Sequence, residues 1–195
     1  MRRFDLNSYV SNVAKYAITE TSMAPPMVHA IIKSSLPVRE LFTSLRYVSV
    51  SGAPIDVATL RLLKDQLHPD ATLAQGWGMT EIGMSTFFRY GEHDDSGSCG
   101  RPAFGFEMRI VDSDGSEVRS NTASGELQVR TPGLMMGYRH TKPSDKDSQW
   151  FPTGDIARIS DGKLYIVGRV KELIKVKGLV PPWFSSCSFS RSPRC

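Results

Sequence analysis

Cysteine is scarce in this 195-residue chain: Cys99, Cys187 and Cys195 form an odd set of three without metal-ligand spacing. That pattern excludes a disulfide framework and a cysteine-ligated zinc site, and it suits a reducing compartment. No apolar run approaches the roughly 20 residues a helix needs to span a bilayer. Met1-Arg2-Arg3-Phe4-Asp5 is not followed by the uninterrupted apolar segment of a signal peptide, so a cytoplasmic chain is expected. An excess of one charge is also lacking. Lys and Arg number 24 against 20 Asp and Glu, for a net +4; the charges are scattered and read as a solvated surface, not a nucleic-acid patch. His29, His68, His93 and His140 share no spacing with cysteines or carboxylates that would build a metal centre. What remains is globular in texture: hydrophobic residues at 40% and charged residues at 23% allow one core of moderate size.

Along the chain, Leu6, Tyr9, Val10 and Val13 have helical spacing, so a helix is expected over 6–15 with Asp5 or Asn7 as its cap. Ala24-Pro25-Pro26 reads as a break before a second helix over 27–34. Tyr47 to Val50 reads as a strand ending at Ser51-Gly52-Ala53-Pro54, then an amphipathic helix over 56–67 and a short strand over 72–74. This order is an α/β layer with turns at strand ends, where open sheets bind ligands. After Gly100 the texture becomes all β, with strands expected over 107–111, 125–130, 155–160 and 163–167. Asp161-Gly162 reads as a two-residue hairpin turn.

The most informative stretch is Gln75-Gly76-Trp77-Gly78-Met79-Thr80-Glu81. Its glycines let backbone approach a ligand. Trp77 offers a flat face to a base, Thr80 a hydrogen bond to phosphate, and Glu81 a hard oxygen ligand for Mg²⁺. An ordinary strand-to-turn junction has the same local composition, so the run alone leaves both readings open.

Further blocks follow in order. After RFDLNSYV from Arg3, APPMV at Ala24 to Val28 and SGAP at Ser51 to Pro54 come QGWGMTE, GELQVRTPGLMMGY from Gly125 to Tyr138, WFPTGD from Trp150 to Asp155 and GRVKELIKVKG from Gly168 to Gly178. Together they resemble the adenylate-forming acyl-CoA synthetases, in wording the branch of 4-coumarate-CoA ligase and luciferase-like enzymes, from about Arg3 to Gly178. The resemblance implies a partial α/β sheet layer followed by a β-rich, barrel-like subdomain of the large N-terminal domain. It implies ATP or AMP, Mg²⁺ and CoA as cofactors, and a small-molecule carboxylic acid, of aryl or phenylpropanoid type, as the partner they activate. Under it, Thr80 contacts the α-phosphate and Glu81 the Mg²⁺. Gln75, Gly76, Gly78 and Met79 surround Trp77, which lies against adenine with Gly52, Ala53 and Pro54 as the opposing wall. The family has tyrosine at the Trp77 position; indole keeps the stacking face and loses the hydroxyl. Asp155 accepts both ribose hydroxyls, Arg169 supports the ribose, Lys171 sits at a hinge, and Lys175 begins a lid surface facing CoA.

The same resemblance divides the chain into 1–99, a partial α/β AMP-binding part; 100–167, β-rich; 168–178, hinge and start of the lid; and 179–195, a divergent tail. That tail, LVPPWFSSCSFSRSPRC from 179, has neither helical nor strand period and is expected to be disordered. Its end is not the peroxisomal tripeptide some relatives carry. The family's Ser/Thr/Gly-rich phosphate loop and its catalytic lid lysine have no counterpart in this sequence. The chain therefore reads as an internal piece of an ATP-dependent acyl-CoA ligase lacking full activity, with a non-catalytic AMP-binding remnant or a non-functional truncated product as alternatives.

Overall fold

Asp5 and Asp56 each begin a helix by turning a carboxylate onto free N–H groups, the local device that their positions announce. Asp5 Oδ1 accepts the Ser8 N–H at 2.8 Å and starts α1 (Leu6–Lys15). Asp56 accepts the Thr59 N–H at 2.8 Å and the Thr59 hydroxyl at 2.6 Å and starts α4 (Val57–Lys64). Those bonds hold both carboxyls below the usual carboxylate range. The structure, a computed structural model, describes residues 4–139 and 150–172; Lys175, Gly178, His140 and the expected tail lie outside them. The chain divides into two compact units. One comprises the described residues of Met1–Gly78 and Phe87–Gly100, the other those of Met79–Thr86 and Arg101–Cys195.

The first unit is a parallel sheet, β1 (Glu20–Met23), β2 (Tyr47–Val50) and β3 (Thr72–Gln75), in that order, with Val50 opposite both Met23 and Gln75. Besides α1 and α4 it holds α2 (Pro25–Ile32) and the single turn α3 (Val38–Leu41). The break expected at Ala24-Pro25-Pro26 is instead the start of α2. Proline's missing N–H costs nothing in the first turn, where that donor has no partner, and its fixed φ already suits a helix. Val10, Val13, Met23, Phe42, Leu45, Val48, Val50 and Leu63 fill the core at 0–1% exposure. Tyr9 lies edge-on to Phe42, with ring centroids 6.3 Å apart, and its hydroxyl shares a 2.7 Å bond with Thr21 on β1. Burial raises the Tyr9 pKa.

Four two-residue strands, β4 (Gly78–Met79), β5 (Gly83–Met84), β6 (Thr86–Phe87) and β7 (Arg101–Pro102), mark the stretch where the chain passes between units. The second unit carries an antiparallel sheet of β8 (Glu107–Val111), β9 (Gly125–Arg130), β10 (Phe151–Ser160) and β11 (Lys163–Arg169), ordered β11-β10-β9-β8. This sheet does not close among the described residues. Asp161 and Gly162, at φ +52° and +73°, make the expected hairpin. β10 begins at Phe151, four residues before the expected start, so Thr153-Gly154-Asp155 lies inside a strand; register shifts flank Ile156 on both sides of it. Trp150 anchors that start under the Arg109 and Arg130 guanidiniums, 4.4 and 4.9 Å from its ring. Such cation–π contacts contribute about 0.5–1 kcal/mol each at exposed sites.

Gly125 opens β9 where no side chain fits. A Cβ there would fall inside the Val111 carbonyl, a backbone group that cannot swing aside, and 2.8 Å from Ile110 Cγ2. Gly125→Ala is expected to destabilise the second unit by about 1–3 kcal/mol, the range for overpacking. The urea midpoint of the variant checks this, and an unchanged midpoint would contradict the close β8–β9 approach.

Candidate functional site

The turns after β2 and β3 are neighbours because their strands are. Gly76 N–H donates to Val50 O at 2.9 Å and Ser51 N–H to Met23 O at 3.1 Å. Ser51-Gly52-Ala53-Pro54 and Gly76-Trp77 therefore leave the same, C-terminal edge of a parallel sheet, the edge at which open α/β sheets bind ligands. Gly52 has φ +94°, a conformation that side-chain-bearing residues rarely adopt, and it is exposed with Ala53 and Pro54. Trp77 is 8% exposed, so a base can lie against it only once a face of the indole is uncovered.

Gln75, the last residue of β3, carries an unanswered polar group. Its Oε1 is buried and has no hydrogen-bond partner among the described residues, a condition that costs about 1–3 kcal/mol. The side chain lines a cavity of about 450 Å³ in the first unit, with Val57 and Leu60 of α4, Leu73 of β3, and Gly97 and Ser98. Neither Trp77 nor Gly52–Pro54 lines it. The 93–98 loop that closes the cavity is tied by Asp94 Oδ1, which accepts the Ser96 N–H at 3.0 Å and the Ser96 and Ser98 hydroxyls at 2.6 and 3.3 Å. Gly97 is required there, since its Cβ would meet Val57 Cγ2 at 2.8 Å. Lys64 is occupied at the far end: its ammonium donates to the Pro69 carbonyl at 3.1 Å and to that of Ala71, and burial lowers its pKa.

Met79, Thr80 and Glu81 belong to the second unit. Thr80 is exposed and Glu81 half-buried. Glu81 Oε1 accepts the Tyr138 hydroxyl at 2.6 Å, and the carboxylate holds the phenol proton, raising the Tyr138 pKa. Among the described residues no three His, Cys, Asp or Glu side chains converge as a cage for a metal ion. A single carboxylate is nevertheless the donor set that Mg²⁺ accepts when phosphates and water supply its other oxygens. Tyr138 lies in the block Gly125 to Tyr138, but sequence spacing gives no sign of its bond to Glu81.

Asp155 is 7% exposed, and Arg169 Nε lies 3.2 Å from its Oδ1. The two face each other across β10 and β11. Its backbone N–H donates to Thr153 Oγ1 at 3.1 Å, whose own hydroxyl donates to Leu127 O at 2.8 Å. The Asp155 backbone is thus tied within its strand, and Arg169 holds one carboxylate oxygen. Lys171 is exposed in the 3₁₀ turn Val170–Glu172. Within the first unit the structure groups Gly52, Ala53, Pro54, Gln75, Gly76 and Trp77; within the second it pairs Asp155 with Arg169.

Residues 1–139 match the profile of a family described as "AMP-binding enzyme". The chain is 45% identical over 179 residues to a nicotinic acid-CoA ligase of Penicillium canescens, covering 91% of this chain and 33% of that protein. It is 46% identical over 187 residues to a nicotinic acid-CoA ligase of Aspergillus fumigatus, covering 94% and 32%. It thus spans about a third of the length of these curated relatives. Among solved structures, ATP-bound MatB from Rhodopseudomonas palustris aligns with a TM-score of 0.80 at 25% identity, over 95% of this chain and 38% of that one. The luciferase-like enzyme of the mealworm Zophobas morio aligns with a TM-score of 0.74 at 27% identity, over 86% and 42%.

Proposed function

Because the chain belongs to the AMP-binding enzyme family, we propose that it carries the nucleotide-holding part of an ATP-dependent acyl-CoA ligase. In that reaction a carboxylate oxygen attacks the α-phosphorus of ATP and pyrophosphate leaves; the thiol of CoA then attacks the acyl carbon and AMP leaves. The observation that carries the reading is the shared C-terminal sheet edge from which Ser51–Pro54 and Gly76–Trp77 leave; Gln75, whose buried Oε1 has no partner among the described residues, ends β3 at that edge. That oxygen calls for an N–H donor, and the exocyclic amine of adenine is one. Gly52, Ala53, Pro54 and Trp77 bound the base, Thr80 donates to phosphate, and Asp155 accepts the ribose hydroxyls beside Arg169.

When bound, Mg²⁺ offsets the charge that crowds the reacting phosphates, and Glu81 is the residue that would hold it. Lys171 takes the hinge role, at which the second step of the reaction is set up. Relatives named as nicotinic acid-CoA ligases and a phenylacetyl-CoA ligase of Aspergillus niger at 35% identity support a small aromatic carboxylate as the acid.

Calorimetric titration of the 195-residue protein tests the nucleotide reading. AMP is expected to bind saturably, and Gln75→Leu to weaken it by about 0.5–1.5 kcal/mol, the net value of one hydrogen bond. Ribose 5-phosphate, which has no base, should bind wild type and variant alike. Equal AMP affinities for the two proteins would remove Gln75 from the base site.

A further inference from the structure

Glu81 is the only carboxylate in its run, and it is held from outside that run. Its backbone carbonyl accepts the Met135 N–H at 2.8 Å, and its Oε1 accepts the Tyr138 hydroxyl at 2.6 Å across a separation of 57 residues. Both donors come from one short segment that ends at Gly137, φ +134°, and Tyr138. No partner is seen for Oε2 among the described residues. One oxygen is tied and the other is left to bind.

The Tyr138 ring is 59% exposed, so little apolar burial holds it in place, and the hydroxyl bond is what joins it to Glu81. An untethered glutamate on a half-buried turn distributes itself over several rotamers and loses that freedom when it takes a cation. A carboxylate already oriented by a charge-assisted bond has less freedom left to lose. We propose that Tyr138 is a positioning residue that orients the Glu81 carboxylate, the group that would hold a divalent cation accompanying a bound nucleotide. The inference rests on the nucleotide-binding reading above.

The test is ATP binding by the whole chain, measured calorimetrically with excess Mg²⁺ and again with the metal chelated, in wild type, Tyr138→Phe, Glu81→Gln and the double variant. The phenylalanine ring occupies the same exposed position, and a thermal melt confirms that each variant folds. In wild type Mg²⁺ should raise ATP affinity. Tyr138→Phe should keep the metal-free affinity and lose about five- to tenfold of the Mg²⁺ enhancement, within the range for the net contribution of one hydrogen bond. In the Glu81→Gln background Tyr138→Phe should change nothing further, because the interaction it removes is already gone. An undiminished Mg²⁺ enhancement in Tyr138→Phe overturns the proposal, as does an equal loss with and without metal. If wild type binds AMP in a Gln75-dependent way but ATP without help from Mg²⁺, the positioning role fails and the nucleotide reading stands. If no nucleotide binds, both fail.

Discussion

Replacing Asp155 with alanine is expected to weaken AMP binding by about 1.5–3 kcal/mol, the range for hydrogen bonds to a charged group. At 1.4 kcal/mol per decade that is a loss of more than tenfold and up to about a hundredfold. The size of the effect follows from the carboxylate's setting. It is 7% exposed and Arg169 lies against one oxygen, so a ribose diol that reaches it meets a charged acceptor already shielded from water. The same setting predicts that the fold tolerates the change. The Arg169 side chain is 68% exposed and returns to water when its partner is removed, so no buried charge is left unpaired. Calorimetry with AMP, run beside a thermal melt, separates the two effects. Unchanged affinity would remove Asp155 from the site, and a collapsed melt would mean that its role is structural.

The second large effect concerns the core. Phe42→Ala is expected to destabilise the first unit by about 3–5 kcal/mol, the sum of lost transfer energy and an unfilled cavity. Phe42 is fully buried, its ring takes the edge-on contact from Tyr9, and α1 and α3 pack around it. Domains are stable by only about 5–15 kcal/mol, so the variant should unfold at much lower urea and lose near-ultraviolet dichroism first. A shift under about 1 kcal/mol would be a surface-like value and would contradict the packing described. Gln75 lies outside this cluster, so any binding lost in Phe42→Ala should follow the fraction unfolded.

Much of the architecture was legible in the chain because it is specified over a few residues. Asp5, one of two caps expected for α1, stands one residue before its apolar period, while Asp56, expected as the first residue of a helix over 56–67, caps α4 instead. Asp161-Gly162 needs two positive φ angles, which that pair accepts, and 107–111 and 125–130 are strands with the expected bounds. The family blocks were legible for a related reason: a motif is a run of residues, and QGWGMTE states its residue types in order.

What escaped the sequence depends on partners distant along it. Glu20–Met23 reads Glu-Thr-Ser-Met and has no strand signature, yet it is β1 because β2 supplies its hydrogen bonds. Pro25-Pro26 reads as a break and is a helix start, because proline's missing N–H and fixed φ suit the first turn. β10 starts at Phe151 because β9 and the two arginines over Trp150 hold it. In the candidate site, the identities of Gln75, Glu81 and Asp155 were readable and their surroundings were not. That Gln75 Oε1 is buried without a partner and that Tyr138 reaches Glu81 are consequences of packing.

By itself, then, the sequence determined the family, the approximate positions of α1 and α4, the hairpin and the residue types available for a nucleotide, since each is encoded in adjacent positions. Tertiary structure alone decided which oxygens are satisfied and which remain open to a ligand, because hydrogen-bond satisfaction depends on what the folded chain brings within about 3 Å, wherever in the sequence it lies.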